Sequence, residues 1–145
     1  MASFLTGGMP GCEVSMLYVF PADTFGVAID DYARPYENPI SVAKGDVVRP
    51  CVGGSMSTDF MGWTWCIGSD GRAGWTPDSW CDVTDEGWRL KRDFSALELT
   101  VRKGDRLLLL FSESGFVFSE SSSGERAWVP DAVLALETTS CVDIA

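Results

Sequence analysis

The chain has 145 residues, 46% of them apolar and 22% charged, with 21 acidic against 11 basic residues and a formal net charge of -10. Generic nucleic-acid binding and adhesion to an anionic membrane both need clustered Lys and Arg, so this balance speaks against each. No apolar run approaches the roughly 18 residues of a membrane-spanning helix, and the absence of His removes the commonest general base and metal ligand.

In chain order, residues 1–25 come first as an extension. Gly7-Gly8 and Pro10-Gly11 make its start loop-like. Met16-Leu17-Tyr18-Val19-Phe20 has no Lys or Arg before it and is too short for a signal peptide. It reads as a strand or docking segment, expected on a first barrel or in a groove between two barrels. Next, Ile40-Ser41-Val42-Ala43-Lys44-Gly45-Asp46-Val47-Val48 alternates, turns at Lys-Gly-Asp and resumes an apolar run. It reappears as Leu99-Thr100-Val101-Arg102-Lys103-Gly104-Asp105-Arg106-Leu107.

Gly62-Trp63-Thr64-Trp65 is matched by Gly115-Phe116-Val117-Phe118, each placing two aromatics on one face of a strand. Gly74-Trp75-Thr76-Pro77-Asp78 is matched by Ala127-Trp128-Val129-Pro130-Asp131. Three elements recurring in the same order mark an internal repeat. Between the copies, Asp82-Val83-Thr84-Asp85-Glu86-Gly87 is polar and reads as a linker. Short strands rich in Val, Trp, Phe, Thr and Leu give an all-β chain. The organisation expected is an extension at 1–25, a barrel at 26–83 and a second barrel at 88–137.

Five cysteines at 12, 51, 66, 81 and 141, with no CxxC pair, fit buried reduced thiols better than a disulfide framework or zinc site. A cytoplasmic protein without disulfides, metal or cofactor is expected. Parity points Cys66 inward if Trp63 and Trp65 face out. The run Leu107-Leu108-Leu109-Leu110-Phe111 breaks alternation, and cover on both faces is expected for it.

The pattern resembles a tandem pair of Src-homology-3 (SH3) domains of the divergent type found in bacterial and archaeal proteins. Ala28-Ile29-Asp30-Asp31-Tyr32 resembles the family's opening Ala-Leu-Tyr-Asp-Tyr run, with Asp30 in place of the first Tyr. Lys44-Gly45-Asp46 falls on the diverging turn, and Trp63 on the groove tryptophan. Trp75 to Cys81 falls on a strand, a short 3₁₀ turn and the last strand, with Trp80 in place of the second groove Tyr. In the second copy Asp93-Phe94 resembles the Asp-Tyr pair, the first loop is shorter, Phe116 takes the groove Trp position and Val133 that of Trp80.

The resemblance implies two SH3-like barrels and an aromatic groove for extended, proline-rich peptides. On the first barrel the ligand-binding candidates are Tyr32, Tyr36, Trp63, Pro77 and Trp80. Glu37 and Asp59 stand in for an acidic specificity residue, whose usual place holds Pro39. A secondary groove would use Phe94, Glu98, Phe116 and Pro130. Residues 26–83 carry eight acids and four bases, whereas 88–137 carry eight and seven. The first barrel is therefore expected to make the principal contact, with a basic or neutral peptide or protein segment. The second barrel is expected to serve as a structural or homodimerising partner.

Catalysis is not expected. Ser79, Ser112 and Ser114 have no His to activate them, and there is neither a Gly-x-Ser-x-Gly elbow nor a phosphate loop. The alternative to peptide binding is a scaffold or a small-ligand or carbohydrate module, with the grooves buried in domain or oligomer contacts.

Overall fold

The computed structural model describes residues 17–51 and 62–137. These form strands and two 3₁₀ turns, an all-β architecture of antiparallel sheets. The chain gathers into two compact units. The first comprises residues 37–97, apart from 52–61. The second comprises 17–36 together with 98–137.

Unit 1 contains β3 (Ser41–Val42), β4 (Val47–Pro50), β5 (Trp63–Ile67), β6 (Ala73–Pro77), β7 (Cys81–Thr84), β8 (Gly87–Leu90) and β9 (Phe94–Ser95). Its five-stranded sheet runs β6-β5-β4-β8-β7, and β3 pairs with β9 in a separate ribbon. Alternation in β5 and β6 sends Thr64, Cys66, Gly74 and Thr76 to one face and Trp63, Trp65, Trp75 and Pro77 to the other. Ile40, Val48, Cys66, Thr76, Cys81 and Leu90 are buried. Gly74 is required by packing, because a Cβ there would lie 2.9 Å from Ile40 Cγ2.

Unit 2 contains β1 (Tyr18–Val19), β2 (Phe25–Ala28), β10 (Arg106–Glu113), β11 (Phe116–Glu120), β12 (Arg126–Pro130) and β13 (Leu134–Leu136). Its sheet runs β12-β11-β10-β2-β13, with β1 also on β10. Leu99, Val101, Leu107, Leu109, Val117, Ala127 and Val129 form its core with Ala28. The apolar run in β10 has a physical explanation. The β10/β11 register slips between Leu109 and Phe111, a bulge that reverses the facing of all later residues. Leu107 and Leu109 are buried, and Leu108, Leu110 and Phe111 are half-buried.

Equivalent residues of the two units carry equivalent hydrogen bonds. Leu90 N donates to Asp46 O at 2.9 Å, and Ala28 N to Asp105 O at 2.8 Å. Gly45 N donates to Leu90 O and Gly104 N to Ala28 O, each at 2.8 Å. The Asp93 carboxylate accepts from Lys44 N, and the Asp31 carboxylate from Lys103 N, again each at 2.8 Å. In every pair the opening segment of one repeat serves the turn of the other.

Three features therefore differ from the linear division into 26–83 and 88–137. Residues 25–36 close unit 2, and residues 87–97 close unit 1. The stretch 82–87 is not a linker but the β7/β8 hairpin, paired from Cys81↔Leu90 to Thr84↔Gly87. A polar two-residue turn, Asp85-Glu86, has the composition of a linker, which is why the two look alike in sequence. The second half of the extension joins unit 2 rather than the first barrel: Tyr18 pairs with Ser112 and Val19 with Phe111, and Phe20 N donates to Leu110 O at 3.1 Å. Beyond the stretch of β10 that β2 covers, the same edge still offers unpaired backbone groups, and β1 satisfies them.

Candidate functional site

The exchange of opening segments redistributes the candidate residues. Unit 1 holds Glu37, Trp63, Pro77, Trp80 and Phe94. Unit 2 holds Tyr32, Tyr36, Glu98, Phe116 and Pro130. Asp59 lies outside the described residues.

In unit 1 the aromatic positions meet, but as packing. Trp63 pairs with Pro77 across β5 and β6. Phe94, delivered by the second repeat, stands 6.3 Å from Trp63 and 5.7 Å from Trp80, edge-on to the latter. The Arg92 guanidinium lies over the Trp80 ring at 4.4 Å. Trp63 is 4% exposed, Trp80 5%, and Pro77 is fully buried. Expected as walls of an open groove, these three are interior residues, because the exchanged segment places Phe94 and Arg92 against the tryptophans. Trp65 is satisfied inside the same unit by an edge-on contact with Trp75 at 5.1 Å. Glu37 is exposed.

The thiols of unit 1 match that interior. Burial pushes Cys66 up to about 12 and Cys81 up to about 12, so both are protonated and unreactive near neutrality. Cys66 points inward, and Cys51, Cys66 and Cys81 are free thiols.

In unit 2 the candidate residues are more accessible. Tyr32 is tied to the core strand by reciprocal backbone bonds with Val101, each 2.8 Å. Its hydroxyl donates a short hydrogen bond to Glu98 Oε1. Burial raises the Tyr32 phenol well above its ordinary value, and the hydrogen bond to Glu98 adds to the rise. Burial likewise raises the Glu98 carboxyl, against the lowering effect of Tyr32 and then of Arg34. Arg34 in turn pairs with Glu125 at 3.2 Å. Glu98 bridges to Trp128 on β12, the strand that ends at Pro130, and Pro130 pairs with Phe116. Tyr32, Phe116, Pro130 and Val133 are half-exposed, and Tyr36 is 45% exposed. Asp30, Asp31 and Asp131 are exposed nearby in sequence.

The tight turn after β10 shapes this end of the unit. Ser114 and Gly115 adopt positive φ of 49° and 93°, the two left-handed positions of a two-residue hairpin. Buried Glu113 accepts from Ser114 Oγ at 2.7 Å.

Arg92, and the turn-capping role of the Asp31 and Asp93 carboxylates, escaped the sequence reading. The signal for the two carboxylates was the alignment of Asp93-Phe94 on Asp31-Tyr32. Among the described residues there is no group of three or more Cys, Asp or Glu placed to hold a metal, and no helix long and apolar enough to cross a membrane.

Residues 25–83 match the family model of the variant SH3 domain. That stretch contains the opening strand β2, the Trp-bearing strands β5 and β6, and the first 3₁₀ turn. No curated protein and no solved structure matches the chain. Over that stretch the chain is similar to an SH3-type domain, a class that generally mediates protein interactions without catalysis.

Proposed function

We propose that the chain is a non-enzymatic protein- or peptide-binding module whose principal contact lies on unit 2, around Tyr32, Tyr36, Glu98, Phe116 and Pro130. The observation that carries this reading is the contrast in exposure. The corresponding residues of unit 1 are buried, whereas those of unit 2 are half-exposed or more and surround a carboxylate. Charge supports the same side. Residues 17–36 with 98–137 hold ten acids and five bases, and 37–97 hold nine and six. The more negative unit is the second, which suits a basic or neutral extended segment. The closed cluster of Trp63, Pro77, Trp80 and Phe94 favours a scaffold role for unit 1.

The test is titration of the full chain with a synthetic proline-rich peptide carrying one arginine. Phe116→Ala and Tyr36→Ala should each weaken binding at least severalfold while the protein stays folded. Binding that survives both substitutions and is lost in a folded Trp63→Phe protein would return the site to unit 1.

A further inference from the structure

Among the described residues, unit 2 is built from two stretches of chain, 17–36 and 98–137, and the first supplies a strand to the sheet of the second. β2 is a central strand, paired on one side to β10 from Arg106↔Val27 to Leu108↔Phe25 and on the other to β13 from Leu134↔Ala28 to Leu136↔Gly26. Backbone bonds from Ile29 N to Val133 O and from Leu109 N to Thr24 O, each 2.8 Å, extend the seam, and Tyr32 and Asp31 add theirs to Val101 and Lys103. All these partners lie in residues 98–137. Among the described residues, the segment passes to unit 1 between Tyr36 and Glu37.

The slot that receives β2 selects by size. A Cβ on Gly26 would lie 3.1 Å from Leu109 Cδ1 and 3.2 Å from Ala135 O. Ala28 sits opposite Leu134, small against large. The equivalent strand of the other repeat, β8, carries Trp88 and Leu90 at these places, and in unit 1 Leu90 stands opposite the small Cys81. Moving β8 into unit 2 would set Trp88 against Leu109 and Leu90 against Leu134. Moving β2 into unit 1 would leave Ala28 against Cys81. Overpacking and cavity both disfavour that arrangement.

We propose that the β10/β13 slot is an exchange site for the opening segment of a second copy of this chain. Residues 17–36 of each copy would close unit 2 of the other in a reciprocal, two-fold dimer. The contacts made in trans are those made in cis, so the exchange forfeits no hydrogen bond or packing within the unit and closes on itself. In such a dimer one copy contributes Tyr32, and the other contributes Glu98, to each Tyr32–Glu98 pair.

The test uses two full-length chains of different mass. Ala28→Asp disables the segment and leaves the slot intact; Leu107→Asp disables the slot and leaves the segment intact. Each alone should show native unit 1 and no hydrogen-exchange protection at Val117 and Val129. Refolded together, they should give a heterodimer by native mass spectrometry, with protection at Val117 and Val129 regained in the Ala28→Asp chain alone. Absence of both heterodimer and regained protection overturns the proposal. Should either substitution unfold the whole chain, unsubstituted ¹⁴N and ¹⁵N chains refolded together at high concentration decide it. A mixed-mass dimer supports exchange, and monomers at every concentration refute it.

Discussion

Among the described residues, unit 1 takes its strands from the stretch 37–97, whereas unit 2 draws its strands from both sides of that stretch. Among the described residues, unit 1 is thus an insert in the sequence of unit 2. The β3/β9 ribbon of unit 1 brings the ends of the insert together, with Ala96 N donating to Ile40 O at 3.0 Å and Ser41 paired to Ser95. A folded insert shortens the loop that unit 2 must close; an unfolded one leaves unit 2 to close about sixty residues, at an added cost of roughly 2 kcal/mol. Loss of unit 1 should therefore weaken unit 2, and loss of unit 2 should leave unit 1 standing.

The largest expected effect comes from cutting the chain. A fragment of residues 37–97 should fold with dispersed amide resonances and a cooperative melt. Fragments 26–83 and 88–137, the divisions that the repeat suggests, should each remain unfolded, since each lacks the strand that closes its barrel. Cooperative folding of 26–83 alone would show that the opening segment can close on its own repeat.

That exchange is the part of the fold hidden from the sequence reading. The hairpins β5/β6 and β11/β12, the Lys-Gly-Asp turns and the 3₁₀ turns are local, and their alternation and glycines are visible residue by residue. The choice between β2 and β8 as partner of a given barrel is non-local. The two repeats present the same turns, so motif order cannot decide it. The deciding signal lies in side-chain volume: Gly26 and Ala28 in one repeat, Trp88 and Leu90 in the other. Site residues suffered for the same reason. Trp63 and Trp80 fall on groove positions of the family pattern, but Phe94 and Arg92 arrive from the other repeat to meet them.

A matched pair of substitutions sharpens the contrast between interior and surface aromatics. Trp63→Ala should destabilise unit 1 by about 3–5 kcal/mol, as loss of a buried aromatic does. Phe116→Ala, at the equivalent but half-exposed position, should cost unit 2 about 1–2 kcal/mol. Denaturant titration followed by tryptophan fluorescence reads chiefly unit 1, where Trp63, Trp65, Trp75, Trp80 and Trp88 lie. Amide resonances of Val117 and Val129 read unit 2. Equal losses in the two variants would remove the distinction.

Volume complementarity can be probed inside one unit. Leu90→Ala should open a cavity beside Cys81 and cost about 2–4 kcal/mol. Adding Cys81→Leu recreates the small-large pairing that Ala28 and Leu134 make in unit 2. The double variant should recover roughly 1–2 kcal/mol of the loss. Additive losses in a double-mutant cycle would mean that size matching at this pair does not select the strand.

The smallest effect separates the units by pH. Cys66 and Cys81 keep their protons in the folded state up to about 12, while in the unfolded chain they ionise near their ordinary value of 9.0. For an acid whose pKa is raised by folding, the unfolded state loses its proton first, so stability falls as pH rises above the unfolded value. Unit 1 should lose roughly 1 kcal/mol per thiol by about pH 10. Unit 2 has no cysteine among its described residues, and its raised phenol, Tyr32, begins to matter only above an ordinary value of 10.0. Glu98 acts in the opposite range: its raised carboxyl makes unit 2 gain stability from this group as pH falls from neutrality through its folded-state pKa, and Glu98→Gln should abolish that gain. Thermal melts between neutrality and about pH 10 should therefore show the fluorescence-detected transition of unit 1 falling first. Cys66→Ser/Cys81→Ser, compared with the parent at each pH, should flatten the alkaline decline of unit 1 even though the double substitution lowers its stability at neutrality. A decline unchanged by removing both thiols would show that they ionise in the folded state as they do in the unfolded one.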